Sequence, residues 1–402
     1  MKGYYFKPYC KCNNKCRCDA TWYFKLSHGI NPQTGQPHQV KKGGFKTKKA
    51  AKEKAREIVD DIDNGTYISE TPVTFEEFAY EWLGIYQNTG NVKESTIRVR
   101  NHEIKRLLDY LAQIRLTKVT RNIYQNALNE LKKRGFAHNT LDGVHRTGRM
   151  IFKKAIELEL IKKDPTEFAY IPKDVATVED IENNSDLPNY LELDELKLFL
   201  NTAKEKGLDQ DYTIFLLLSH SGMRVGELCA LKWSDIDFQS STINITKTYY
   251  NPRNNAKQYK ILTPKTKSSV RKIAVDNNVL KELKSHLHFQ NKVKLRKGAN
   301  YNEEGFVFTL IDNHAGYPWN PKKVGNRMRR ILKLSSLPES FTPHSLRHTH
   351  TSLLAQAEVE LSIIMERLGH IDEKTTRNVY LHVTKDMKIE AIQKFQKLMD
   401  DL

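Results

Sequence analysis

The spacing of hydrophobic positions changes from region to region along the chain, and each change predicts a different kind of element. Residues 21–28, TWYFKLSH, alternate apolar and polar, the two-residue period of a half-buried strand. NPQTGQ then reads as a turn, and PHQVKKGGFKT supplies one or two further short strands. KKAAKEKAREIVDDIDNG moves to helical spacing and stops at Gly65. In TPVTFEEFAYEWLGIY the apolar residues Phe75, Phe78, Ala79 and Trp82 recur three or four apart, and Thr74 stands three before Glu77, the spacing of a capping box. Helical patterns continue through STIRVRNHEIKRLLDYL, TRNIYQNALNELKKRG and NTLDGVHRTGRMIFKKAIELEL, which predicts a four-helix bundle ending near Pro165. Beyond it, LDELKLFLNTAKEKG and DYTIFLLLSHSG read as helices, and STINITKTYY and KQYKILTPKTKSSVRKIAV as strands. Helices then dominate to the end, where KDMKIEAIQKFQKLMDDL carries an apolar stripe through Ile389, Ile392, Phe395, Leu398, Met399 and Leu402.

These patterns divide the 402 residues into a β-sheet-plus-helix module (1–66), an all-helical bundle (72–170), a linker (171–190), a mainly helical region with a small antiparallel sheet (191–384) and a terminal helix (385–402). The linker is placed by composition: residues 174–195 hold eight Asp or Glu and no Lys or Arg. The terminal helix can dock on its own domain or on a neighbouring protomer.

Charge changes the picture next. A formal net charge of +17 points to a polyanionic partner, with nucleic acid the first candidate. Residues 1–50 alone hold eleven Lys or Arg against one Asp, or +10. A solvated basic tail would have this charge, but the aromatics interleaved with it argue for a folded basic module. Lys41, Lys42, Lys46, Lys48 and Lys49 are its candidate DNA contacts. No uncharged apolar run approaches the ~20 residues of a membrane span, and MKGYYFKPYC lacks the apolar core of a secretory signal. The expected location is the cytoplasm. There, stable disulfides are disfavoured, so the cluster Cys10, Cys12, Cys16 and Cys18 is either a zinc site or a set of reduced, unligated thiols. Its C-x-C spacing is tighter than the common zinc pattern.

Candidate chemistry begins at FTPHSLRHTHTSLL, where His344 and Arg347 are three apart and share a helix face. Four companions stand elsewhere: Arg224 in SGMRVGELCALKWSDID, Lys265 in TPKTKSSVRKIAV, His370 in ERLGH and Tyr380 in TTRNVYLHV. Alone, each arginine reads as a surface ion pair, and any one of the 18 tyrosines as packing. Together they suit an anionic phosphodiester, whose cleavage without metal needs cations aimed at the developing charge. A guanidinium can fork two N–H groups onto phosphate oxygens, which an ammonium cannot.

The ordered set, with LGH before YLHV and SGMRVGEL before LKWSDID, resembles the tyrosine recombinase (phage integrase) family across the whole third region. The resemblance implies the tyrosine recombinase fold and a nucleophilic Tyr380 that forms a link to a DNA 3′ phosphate. Arg224 and Arg347 would hold the phosphate, His344 would take the phenolic proton, and His370 would bond a phosphate oxygen. Lys265 would protonate the leaving 5′ oxygen, with Lys267 its rival, since on a strand the two would face the same side. Glu227 would orient Arg224, while His348 and His350 would pack or cap nearby. Upstream, TFEEFAYEWLGIY resembles the core-binding domain of these enzymes, and residues 20–65 with GGFKTKKAA resemble the arm-type domain of phage and conjugative-transposon integrases.

The implied protein is an integrase of a phage or integrative element, acting in a bacterial host's nucleoid without ATP or metal. Its partners would be double-stranded DNA at core and arm sites, three further copies in a tetramer, and accessory DNA-bending or directionality proteins. A Xer-like resolvase or type IB topoisomerase shares the chemistry, but the basic N-terminal module argues against both. A catalytically inactive DNA-binding regulator is opposed by the complete set of six residues.

Overall fold

The computed structural model describes residues 3–12, 18–30, 37–64, 73–90, 92–173, 189–264, 266–369, 374, 376–381 and 399. Lys265, His370, Cys16, Gly65 and all of the 385–402 segment except Met399 therefore lie outside the described residues. The chain forms two compact units, residues 1–175 and 176–402.

The first unit contains two hydrophobic cores. In the N-terminal one, strands β1 (Gly3–Phe6), β2 (Trp22–Ile30) and β3 (Pro37–Phe45) form an antiparallel sheet in that order. Helix α1 (Lys48–Asp63) is capped by Thr47 and lays Ala51, Ala55 and Ile58 on Phe24, Leu26 and Val40. The other face of the sheet pairs Lys25 with Lys41 and brings Lys41 Nζ within 5.6 Å of the Phe6 ring centroid. Gly43 is required on that face, because a Cβ there would lie 2.0 Å from the Tyr23 ring. Sequence spacing does not predict β1. Tyr4, Tyr5 and Phe6 are consecutive and show no alternation, so only pairing with β2 makes this segment a strand.

The second core is helical: α2 (Phe75–Asn88), α3 (Glu94–Leu111), α4 (Arg121–Lys133) and α5 (His138–Glu157), with a 3₁₀ turn at Leu116–Lys118. The Thr74 capping box is present. Thr74 Oγ1 accepts from the Glu77 N–H at 3.3 Å, and Glu77 Oε2 accepts from the Thr74 N–H at 2.8 Å. Phe75 thereby enters the core, stacked on Phe152 at 5.4 Å.

The second unit surrounds α7 (Asp211–Ser221), whose residues Thr213–Ser219 are all buried. Packed with it are α6 (Leu193–Lys206), the short α8 (Val225–Ala230), α9 (Asn277–Lys297), α10 (Pro321–Leu334) and α11 (Pro343–Gln356). Strands β4 (Ile236–Asp237), β5 (Thr242–Ile245) and β8 (Arg271–Ala274) make one sheet, while β6 (Thr248–Tyr250) and β7 (Lys260–Leu262) make a separate hairpin. KQYKILTPKTKSSVRKIAV thus supplies strands to two different sheets. Helix α12 (Leu361–Leu368) and a helical turn at residues 376–381 complete the described part of the unit. Among the described residues no helix is long and apolar enough to cross a membrane.

The cap that starts the bundle can be tested directly. Thr74→Ala should lower bundle stability by about 1 kcal/mol, the usual worth of an N-cap. The check is the denaturant midpoint of the bundle's transition, which should fall with its slope unchanged.

Candidate active site

Helix α7 ends at Gly222, which has φ 62° and sends its N–H back to Leu218 O. A Cβ there would stand 2.6 Å from the His350 ring and 2.8 Å from Leu368, so glycine is what lets α11 and the end of α12 approach. Two residues on, Arg224 caps α8. Its N–H donates to Glu227 Oε2 at 2.9 Å and its Nη1 to Glu227 Oε1 at 3.1 Å. The carboxylate is buried (side chain 3% exposed), whereas the Arg224 side chain remains 36% exposed. Arg224 is therefore held from behind, with part of its side chain open to solvent.

Glu227 has a second cation. Arg271, the first residue of β8, donates from Nη2 to Oε2 at 2.9 Å and from Nη1 to Oε1 at 3.3 Å. Burial alone would raise the Glu227 pKa, but the Arg271 hydrogen bonds and charge, with those of Arg224, hold it below the ordinary carboxylate value.

Arg347 lies on α11 and is only 2% exposed. Its Nη1 donates to Gly222 O at 2.6 Å and its Nη2 to Leu368 O at 2.7 Å. One guanidinium thus ties the end of α7 to the end of α12. His344 is exposed in the first turn of α11, with its ring 4.7 Å from that of His348. His350 is enclosed: Arg367 Nε donates to its Nε2 at 3.0 Å, and its Nδ1 contacts Ser219 O at 2.9 Å. An arginine can only donate and a carbonyl can only accept, so the proton is on Nδ1. Burial first, and then the Arg367 charge, push the His350 pKa down to about 3.

Tyr380 is half-buried in the 376–381 turn and packs on the cluster of Ala355, Ile364, Leu368 and Val379. Leu368 also supplies the carbonyl that Arg347 holds. The residue that follows it, Gly369, has φ 72°, and a Cβ there would lie 2.9 Å from Ser268 O. The chain just before His370 therefore lies against the chain that follows Lys265. Lys267 opens a 3₁₀ turn, Lys267–Ser269, rather than continuing a strand. Lys265 lies outside the described residues, so whether the two lysines share a face is not described.

Sequence reading misses Arg271 and Arg367 and reduces His350 to packing. For Arg271 a signal exists. It falls two residues before Ile273 and four before Val275, on the buried face of its strand, where a cation needs a partner. In the N-terminal module, the Sγ atoms of Cys10, Cys12 and Cys18 all lie within 4.8 Å of one another. Lys41 and Lys42 are on β3, Lys46 follows it, and Lys48 and Lys49 stand in the first turn of α1.

The His350 environment predicts a pH dependence. Unfolded, the imidazole titrates near 6.5; folded, near 3. The unfolded state binds the extra proton, so the stability from this group is complete above pH 6.5 and is lost as pH falls toward 3, by up to about 1.4 kcal/mol per pH unit. The unfolding midpoint of the second unit should drop between pH 7 and 5, and His350→Gln should flatten that slope. An unchanged slope in the variant would place the proton uptake elsewhere.

Comparison with known proteins identifies the family. The Phage integrase family matches residues 189–387, its N-terminal SAM-like domain residues 74–132, and an Arm DNA-binding domain residues 14–62. The integrase of Staphylococcus phage L54a is 30% identical over 356 residues, covering 85% of this chain and 98% of its own. The fold is similar to that of the Tn1549 transposon integrase in complex with a circular intermediate DNA (TM-score 0.62, 23% identity, 79% of this chain and 99% of that one). It is also similar to that of a lambda integrase tetramer bound to a Holliday junction (TM-score 0.54, 18% identity, 89% and 92%). The chain belongs to the phage integrase family and has the tyrosine recombinase fold; it is an integrase, a site-specific DNA recombinase.

Proposed function

We propose that the protein inserts and excises a phage or integrative element by cutting DNA through a covalent link on Tyr380. The phenolic oxygen attacks the scissile phosphorus, the bond to the 5′ oxygen breaks, and a 3′-phosphotyrosyl link and a 5′ hydroxyl result. His344 takes the phenolic proton and Lys265 supplies the proton to the departing oxygen, with Lys267 the alternative donor. Arg224, Arg347 and His370 stabilise the phosphate as charge builds on it. The observation that carries this reading is the bonding of Arg347 to Gly222, two residues from Arg224, and to Leu368, on whose cluster Tyr380 packs. Any phosphate contact by Arg347 comes from N–H groups other than the two held by these carbonyls. Rejoining reverses the step, so bond energy is kept in the link and no ATP is used.

The DNA partners follow from surface chemistry. Lys48 and Lys49 stand in the first turn of α1, which contains no acidic residue, so side-chain charge and helix dipole add at one end. With Lys41, Lys42 and Lys46 beside them, the module is built for phosphates at an arm site. The bundle and the catalytic unit take the core site. Recombination cuts four strands, which calls for four protomers and, where sites must be brought together, accessory bending proteins.

Two substitutions test the chemistry. Tyr380→Phe should abolish the covalent adduct with a nicked attachment-core duplex on a denaturing gel while leaving duplex affinity near wild type. Arg224→Lys should slow adduct formation about 10²-fold, the scale of one lost charge-stabilising contact. An adduct with the phenylalanine variant would refute the nucleophile assignment.

We also propose that the N-terminal cysteines hold a structural zinc ion. A Zn–S bond of about 2.3 Å places the sulfurs of a tetrahedral site about 3.8 Å apart. Cys10 and Cys18 have Sγ atoms 3.6 Å apart, and Cys12 lies in the same cluster. Cys16, outside the described residues, is the proposed fourth ligand. Native protein should carry close to one zinc per chain by metal analysis, and the quadruple Cys→Ser variant none. Background zinc in native protein prepared without chelator would rule the site out.

A further inference from the structure

Arg271 is not among the six proposed catalytic residues, yet its guanidinium joins the segments around them. It is 6% exposed and makes four hydrogen bonds. Two go to the Glu227 carboxylate, which also holds Arg224. Nε–H donates to Arg367 O at 2.8 Å, three residues before His370, and Nη1 to Ser269 O at 3.0 Å, four residues after Lys265. The packing repeats this pattern: a Cβ on Gly369 would lie 3.1 Å from Arg271 Cδ and 3.0 Å from Ser269 Cα. Arg271 thus spans the Arg224 side of the site and the turn where Gly369 packs on Ser268 and Ser269.

We propose that Arg271 is a positioning residue for strand cleavage: through Glu227 it sets Arg224, and through two main-chain carbonyls it holds the His370 and Lys265 segments in register with it. The proposal rests on the catalytic reading of Arg224, His370 and Lys265. It separates two functions of one side chain. The charge keeps a buried carboxylate ionised. The planar fork, with donors in three directions, spans distances that a lysine ammonium cannot.

The test is single-turnover cleavage of a nicked attachment-core duplex by the full chain across pH 5 to 8, with duplex affinity measured in parallel. Arg271→Ala should slow cleavage about 10²-fold, with affinity changed less than about twofold. Without Arg271, burial raises the Glu227 pKa, so this variant should gain an acid limb, its rate falling further below wild type as pH drops. Adding Glu227→Gln should remove that extra limb, and guanidinium ion should partly restore the single variant. Arg271→Lys keeps the charge but not the span. It should cleave slowly without the extra limb, and it decides the matter if the alanine variant does not fold.

Wild-type rates in both Arg271 variants would overturn the proposal. So would parallel loss of cleavage and binding with no new pH dependence, or failure of both variants to fold; either marks a purely structural residue. Arg224→Lys, measured alongside, separates the two levels. If it is slow while the Arg271 variants are normal, only this inference fails; if it is normal, the reading of Arg224 fails first.

Discussion

The catalytic unit depends on one buried cation, the Arg347 guanidinium. Removing such a charge from water is costly unless its N–H groups find acceptors. Here the acceptors are main-chain carbonyls at two helix ends, Gly222 at the end of α7 and Leu368 at the end of α12. Helix C-termini are suited to this, because their last carbonyls lack intrahelical partners and carry the negative end of the helix dipole. Satisfying the guanidinium therefore requires α7, α11 and α12 to converge. The convergence places Arg224 two residues beyond one carbonyl and brings the Tyr380 cluster to the other.

Around this anchor the site is strongly cationic. Arg224, Arg271, Arg347 and Arg367 are linked by hydrogen bonds to one buried carboxylate, to a neutral histidine and to carbonyls. Glu227 stays ionised because two arginines share it. His350 stays neutral because it is buried beside a cation, and it serves as the acceptor for Arg367. A protonated imidazole there would point a donor at a donor. An excess of cations over anions inside a folded unit is unfavourable by itself; a phosphodiester entering beside it would relieve that excess.

The N-terminal module uses charge differently. Its lysines are mostly exposed, and they share a surface with aromatic rings. Lys41 lies over Phe6, and Lys48 Nζ is 5.2 Å from the Trp22 ring centroid. The rings hold the ammonium groups near the sheet while leaving them in water, where they can exchange counterions for phosphates. Gly43, beneath Tyr23, leaves room for an aromatic ring across the strand.

Much of this was legible in the sequence for local reasons. Helical spacing and a Thr-x-x-Glu box describe α2, because both depend on residues within one turn. The proposed set Arg224, Lys265, His344, Arg347, His370 and Tyr380 was named from short stretches, because family motifs are carried in them. Spacing did not reveal β1, whose strand character comes from pairing with β2, or the division of β7 and β8 between two sheets, which rests on pairing across the fold. Nor did it show that Lys267 begins a turn. The roles of Arg271, Arg367 and His350 were hidden for the same reason: each is defined by partners that folding brings together. Arg271 finds Glu227 from 44 residues away, and His350 finds Ser219 from 131. The sequence by itself determined which cationic and titratable groups this protein carries and, for the helices of its bundle, the local elements around them. The tertiary structure decided which cations are buried, which carboxylate they share and which imidazole is neutral, because desolvation and hydrogen bonding act only between segments that the fold has placed in contact.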